Sequence, residues 1–286
     1  MEAGPRRWGG GPYDRPLEIA IVTQEDPFYI GTFFDEFLHR GAEHRDVARI
    51  RGVFVQDALG SGTGRGLAAR VWSLYGTLGF IRMGFRYLGA KLVGRGIDER
   101  CREAGVPVPS LPAERSIGGA RAAKRPPRRN NVNGPAFHAW VREQEIDLIV
   151  SVSASQIFGK TVLSLPTIGC VNLHNAPLPK YRGMLPNFRQ MYDRREVSVL
   201  TIHEMVPDLD QGAVLHRGET PIAPGMSLEE LMTATKRSSA RALWEFLATL
   251  HRGEATATPL TGEGSYYTWP TRREVREFRR RGGRVW

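Results

Sequence analysis

Apolar positions along this chain fall into two kinds of run. LEIAIVT (17–23), VARIRGVFV (47–55), DLIVSV (147–152) and IGCVNL (168–173) are short and nearly continuous, as expected for strands covered on both faces. Between the first two, Ile30, Phe33, Phe34, Phe37 and Leu38 recur at helical spacing. A strand–helix–strand start of this kind predicts a right-handed parallel crossover. Further along, the pattern predicts a helix and then a third strand over 97–110, helices over 134–144, 156–163 and 184–193, and strands over 197–203 and 213–217. The clearest helix is 227–250, with Ser227 as N-cap and Glu230 closing a capping box. The alternation predicts an α/β fold: a mainly parallel sheet with helices on both faces and strand 168–173 near its centre.

Four segments stand apart. Residues 1–16 are rich in Gly and Pro and read as a disordered extension. In ALGSGTGRG (58–66), Gly64, Gly66 and Ala69 satisfy a GxGxxA pattern. It begins well after the preceding strand, so a flexible loop is the simpler reading than a dinucleotide site. Residues 71–93 are apolar and aromatic, punctuated by Arg82, Arg86 and Lys91. They read as a helix packed on the core; a lipid-facing surface and a homodimer contact are the alternatives. Residues 111–133 read as a long Pro/Arg/Asn loop.

Composition narrows the class. With 286 residues, 41% hydrophobic and 24% charged, the chain is ordinary globular protein. Two cysteines, Cys101 and Cys170, exclude a disulfide scaffold and a four-thiolate zinc site, and no metal is expected. No apolar run reaches membrane-span length, and residues 1–16 lack the apolar core of a secretory signal, so a cytoplasmic location is expected. The net charge of +10 points first to nucleic acid. Its distribution weakens that idea. Residues 121–129 hold five basic groups and no acid, and 271–286 hold seven arginines against two glutamates, so the rest of the chain is balanced. A nucleic-acid partner is therefore not expected.

Chemistry gathers in VNLHNAPLPKYRG (171–183). Asn172 and His174 are two residues apart on a buried strand and so project to one side of it. Parallel α/β sheets place their chemistry just beyond the carboxyl ends of such strands. VPDLDQGAVL (206–215) then puts Asp208 and Asp210 in a loop between two strands. Asn and His can donate hydrogen bonds to an oxygen that becomes negative, and a nearby carboxylate can accept a proton. No nucleophile elbow is present. The arrangement suits direct transfer of a small acyl group; a capping Asn with a satisfied core His fits the spacing as well.

Asn172-Leu173-His174, Leu178-Pro179-Lys180-Tyr181-Arg182-Gly183 and Asp210-Gln211-Gly212 together resemble the motifs of the 10-formyltetrahydrofolate-dependent formyltransferase family, which includes sugar N-formyltransferases, methionyl-tRNA formyltransferase and glycinamide ribonucleotide transformylase. The resemblance covers about 147–250 firmly and 17–55 loosely. It implies a Rossmann-like fold and 10-formyltetrahydrofolate as formyl donor. It implies catalytic roles for Asn172 and His174, which polarise the formyl carbonyl, and for Asp210, which pairs with His174 and relays the proton of the attacking amine. Folate contacts are implied at Ser153, Ala154, Gln156, Ile157, Phe158 and Leu209. His203 matches a histidine of the same strand in relatives, for which a structural role serves equally. Asn175-Ala176-Pro177 departs from the usual pattern after the histidine and should alter acceptor contacts.

The expected domains are a catalytic domain over 17–250, carrying a variable insertion at 58–130, and a basic aromatic tail over 251–286. That tail is too short for the tRNA-gripping domain of methionyl-tRNA formyltransferase, and 16 leading residues leave no room for a regulatory domain. Sugar N-formyltransferases fit better, and Gly264-Ser265-Tyr266-Tyr267 is similar to their tail elements. The expected acceptor is a small primary amine such as an amino sugar nucleotide, reached through Asp26 in the 24–28 loop and through Arg82 or Arg86. A methionyl-tRNA formyltransferase-like enzyme and a non-catalytic folate-binding or membrane-surface protein are the alternatives.

Overall fold

The structure, a computed structural model, describes residues 4–58, 64–116 and 127–286. Its centre is a six-stranded sheet. The strands are β2 (Leu17–Gln24), β3 (Ala48–Gln56), β4 (Leu148–Val152), β5 (Gly169–His174), β7 (Val197–Glu204) and β8 (Val214–Pro221), in the spatial order β3-β2-β4-β5-β7-β8. The first four neighbours run parallel; β7 is antiparallel to β5, and β8 to β7. Two-residue periodicity divides the core. Leu17, Ile19 and Ile21 face one side of the sheet with Leu148, Val150 and Val171. Ala20 and Val22 face the other with Ile149 and Cys170.

Helices cover both faces. On the first lie α1 (Ile30–Gly41), with Ile30, Phe33, Phe34, Phe37 and Leu38 buried, and α7 (Leu228–His251). Phe37 stacks on Trp244 with ring centroids 4.8 Å apart. Ser227 and Glu230 form the expected capping box. On the second face, α4 (Pro135–Glu143) contributes Phe137 and Val141. The helix α3 (Ile97–Glu103) joins the first-face core through Ile97 and Cys101, and the single turn α5 (Lys160–Leu163) the second through Val162.

Three expectations are corrected. The first is the disordered leader. From Gly4 onward it is placed: β1 (Arg6–Arg7) pairs antiparallel with β9 (Thr256–Ala257). Trp8 is buried against Phe246 and donates from Nε1 to Glu204 at 3.2 Å. One indole supplies enough apolar burial to hold a Gly/Pro segment that has no periodicity of its own. The second is the strand after α3. Residues 106–109 alternate Val and Pro, and the prolines cannot donate to a ladder. The segment runs beside β3 with Pro107 accepting from the Val53 amide at 3.0 Å, without forming a fifth parallel strand.

The third concerns 71–93. They belong to α2 (Gly64–Val93), interrupted at Gly76, whose φ of 72° lies in the left-handed region. The helix does meet a core through Leu74, Tyr75 and Met83, as expected. Its arginines, however, are engaged: Arg82 and Arg86 both pair with Glu229, Arg86 at 2.9 Å. They are not free to receive an acceptor phosphate. Gly64, Gly66 and Ala69 fall within this helix rather than at a strand tip, and 59–63 lie outside the described residues, as do 117–126 with most of the basic loop.

Trp8→Ala should lower unfolding stability by about 3 kcal/mol or more, because it removes a buried indole and leaves a cavity between the leader and α7. Urea denaturation measures it; a loss under about 1 kcal/mol would mean that the leader is not docked in solution.

Candidate active site

The row Cys170, Asn172, His174 runs along one face of β5 and changes from apolar to polar as it leaves the core. At its carboxyl end opens a cavity of about 380 Å³. Asn172, His174 and Asp210 all line it, as do Ser153, Ala154, Gln156, Ile157, Phe158 and Leu209. The residues expected for catalysis and for folate contact are thus brought to one place, and the acceptor residues Asp26, Arg82 and Arg86 are not. The antiparallel return of β7 and β8 is what delivers Asp210. The β7–β8 connection brings it beside His174 and His203, with Asp210 itself at φ 54°, a conformation Asp tolerates better than most. Gly212 is required there because a Cβ would collide with the Glu204 carbonyl.

The hydrogen bonds define proton positions. His174 donates from Nε2 to the Tyr181 carbonyl at 3.1 Å, which leaves Nδ1 facing Asp210 Oδ2 at 3.9 Å. His203 donates from Nδ1 to the Glu204 carbonyl at 2.9 Å, so its Nε2 accepts from the Asn172 amide at 3.1 Å. The same Nε2 lies 3.6 Å from Asp210 Oδ1. Burial pushes His203 down to about 4, against the opposing pull of the Glu204 carbonyl and Asp210, and His174 lowers it further. His203 is therefore neutral near pH 7, the form that can accept from Asn172.

The Tyr181 carbonyl is itself held from outside. Ahead of α6 (Pro186–Tyr192), β6 (Arg182–Gly183) pairs in parallel with β10 (Tyr266–Tyr267). Ser265 accepts from the Tyr181 amide at 2.9 Å through its hydroxyl and from Arg182 through its carbonyl. Gly183, at φ 97°, admits the Tyr267 carbonyl where any side chain would clash.

Two features escaped the sequence reading. His203 is the direct cross-strand partner of Asn172, which only the antiparallel register reveals. Lys236, buried in α7, donates to the Ser153 hydroxyl at 2.6 Å and has no ion pair among the described residues. Burial lowers its pKa, partly opposed by Asp26. Tyr266, of the tail element read from sequence, stands exposed at the cavity wall. The Gln156 side chain accepts from the Val132 amide while Gln156 still lines the cavity. One expected contact differs. Asp26 lines a separate cavity of about 420 Å³ and spends Oδ1 on the amides of Phe28 and Tyr29 before α1. Among the described residues no His, Cys, Asp or Glu cluster could hold a metal ion.

Comparison with known proteins agrees with this geometry. The profile described as formyl transferase matches residues 98–247, and the chain belongs to that family. Methionyl-tRNA formyltransferase of Thermotoga maritima is 36% identical over 123 residues, 43% of this chain and 39% of that protein. The enzyme of the same name from Alcanivorax borkumensis is 33% identical over 137 residues, covering 48% and 42%. The chain thus spans about two fifths of the length of these curated relatives. Among solved structures, glycinamide ribonucleotide transformylase 1 from Symbiobacterium toebii superposes with TM-score 0.57 at 16% identity, covering 89% of this chain and 94% of that one. A sugar N-formyltransferase from a Shewanella species gives 0.53 at 16%, covering 88% and 76%. At such identities the likeness is one of fold.

A pH test follows from His203. The unfolded imidazole takes up a proton below about pH 6.5, whereas the folded one resists until about 4. Stability contributed by this site is therefore full above 6.5 and falls as pH drops toward 4, by no more than about 3 kcal/mol. His203→Gln should flatten that part of the stability–pH curve; urea midpoints with the same slope in both proteins would refute the buried neutral imidazole.

Proposed function

We propose that the chain transfers the formyl group of 10-formyltetrahydrofolate to a primary amine of a small acceptor, an amino sugar nucleotide by preference. The observation that carries this is the convergence of Asn172, His174 and Asp210 on one cavity, each held by a defined partner. The cavity also suits a flat folate head. Ile157 and Leu209, exposed large apolar side chains, line it, and the loops around Ser153–Phe158 and Val206–Asp210 offer backbone polar groups.

Bound there, the donor supplies an electrophilic formyl carbon. Asn172 gives one amide hydrogen to His203 and keeps the other for the formyl oxygen. His174, its Nε2 hydrogen tied to Tyr181, offers a second donor at Nδ1 once protonated there, with Asp210 stabilising the cation. As the amine nitrogen bonds to the formyl carbon, Asp210 accepts the proton the amine loses and returns it to the departing folate nitrogen. Amine and formyl donor become formamide and tetrahydrofolate, with no covalent enzyme intermediate.

Two features support a small anionic acceptor. Lys236 is buried beside Ser153, without a carboxylate partner among the described residues. Tyr266 can stack on a sugar or base. The curated relatives favour a second reading, in which the amine is that of methionyl-tRNA. Mass spectrometry after incubation with 10-formyltetrahydrofolate separates the two. A formyl mass gain on an amino sugar nucleotide supports the first; a gain on methionyl-tRNA alone supports the second.

Asp210→Asn should keep the shape of the site and lower kcat by on the order of 100-fold or more, and His174→Ala should do the same by removing an oxyanion donor. Steady-state kinetics on variants with unchanged thermal unfolding checks the roles, and near-wild-type turnover in either would overturn them.

A further inference from the structure

The helix α2 has two apolar faces. One is anchored: Leu74, Tyr75 and Met83 pack in a core cluster with Phe188, Val275 and Phe278. The other covers nothing among the described residues. Leu78, Ile81, Phe85, Leu88 and Leu92 recur at intervals of three and four residues and are 69%, 51%, 71%, 55% and 82% exposed. They form one stripe about 21 Å long on a helix held by its opposite side. Scattered exposed hydrophobics need no explanation, but a contiguous periodic row does.

Charge identifies what covers it. Residues 58–97 contain six cations and no acid; Arg82 and Arg86 share the single carboxylate of Glu229, and Arg95 pairs with Glu103. Beside this helix lies α8 (Arg272–Arg280). Arg279 of α8 donates to the Leu74 carbonyl, and Arg272 sits over the Trp72 ring at 4.6 Å. Residues 271–286 add seven arginines against two glutamates, and both glutamates are spent within the protein: Glu274 on Arg189, Glu277 on Arg280 and Arg281. The arginine cluster therefore adjoins the amino-terminal end of the helix that carries the stripe.

We propose that this surface docks on an anionic lipid bilayer, with the stripe in the headgroup–acyl boundary and the arginines of α8 against lipid phosphates. The combination of an apolar row and a cationic flank is that of an interfacial helix. Among the described residues no helix is long and apolar enough to cross a membrane, so the contact is peripheral. A second copy of the chain would also cover the stripe, since its 3–4 spacing is that of a two-helix seam. Such seams pair opposite charges along their flanks, and α2 has no acid to offer, so two copies would oppose cation to cation. The proposal is independent of the formyl-transfer reading.

Cosedimentation of the full chain with vesicles tests it. Pelleting is expected with mixed phosphatidylglycerol and phosphatidylcholine vesicles, not with phosphatidylcholine alone, and should weaken as salt rises. Phe85→Ser with Leu88→Ser, both at exposed positions, should lower the partition coefficient at least tenfold with unchanged thermal unfolding. Arg273→Gln with Arg276→Gln should reduce the salt dependence. Absence of pelleting with anionic vesicles, or pelleting unaffected by the serine pair, would overturn the proposal. So would a concentration-dependent dimer in sedimentation velocity that the serine pair abolishes, which would assign the stripe to a second copy.

Discussion

The site depends on one cross-strand pair. Asn172 on β5 lies opposite His203 on β7, and the amide donates to a ring nitrogen that is bare only because the imidazole is buried and neutral. β7 runs antiparallel to β5 and turns directly into the loop that carries Asp210, whose carboxylate meets both imidazoles. The low pKa of His203 and the orientation of Asn172 are two aspects of the same burial.

Much of the frame was legible because it rests on periodicity. The α1 positions Ile30, Phe33, Phe34, Phe37 and Leu38 are buried as a helical row, and Ser227 and Glu230 close their capping box, since local spacing alone decides both. The residues gathered at the cavity were legible from motif resemblance, but their hydrogen bonds were not. Which nitrogen of His174 is tied depends on the carbonyl of Tyr181, and which residue faces Asn172 depends on sheet register. Neither is a property of nearby sequence. The leader misled because a single tryptophan carries no period, and the 106–109 segment misled because alternating valines imitate a strand that its prolines forbid.

The two halves of the molecular surface are built on different logic. Around β5 the polar groups are paired and shielded, down to Lys236 on Ser153. Around α2 apolar groups are displayed, while the inner side of that helix is fixed by Leu74 and by Arg82 and Arg86 on Glu229. Glu229 opens α7, the same helix that carries Lys236 about two turns further on. Display on one side and shielding on the other are thus joined through a single rigid rod.

The parallel pairing of β6 with β10 has a consequence for biogenesis. The carbonyl that orients His174 belongs to Tyr181, and its neighbouring amides are held by Ser265 and Tyr267, more than eighty residues later in the chain. A ribosome makes the sheet, the motif strands and α7 before it makes this clasp. The nascent protein can therefore assemble its core while its central imidazole still lacks the support that fixes its ring. Competence of the site arrives only once residues 265–267 have been translated.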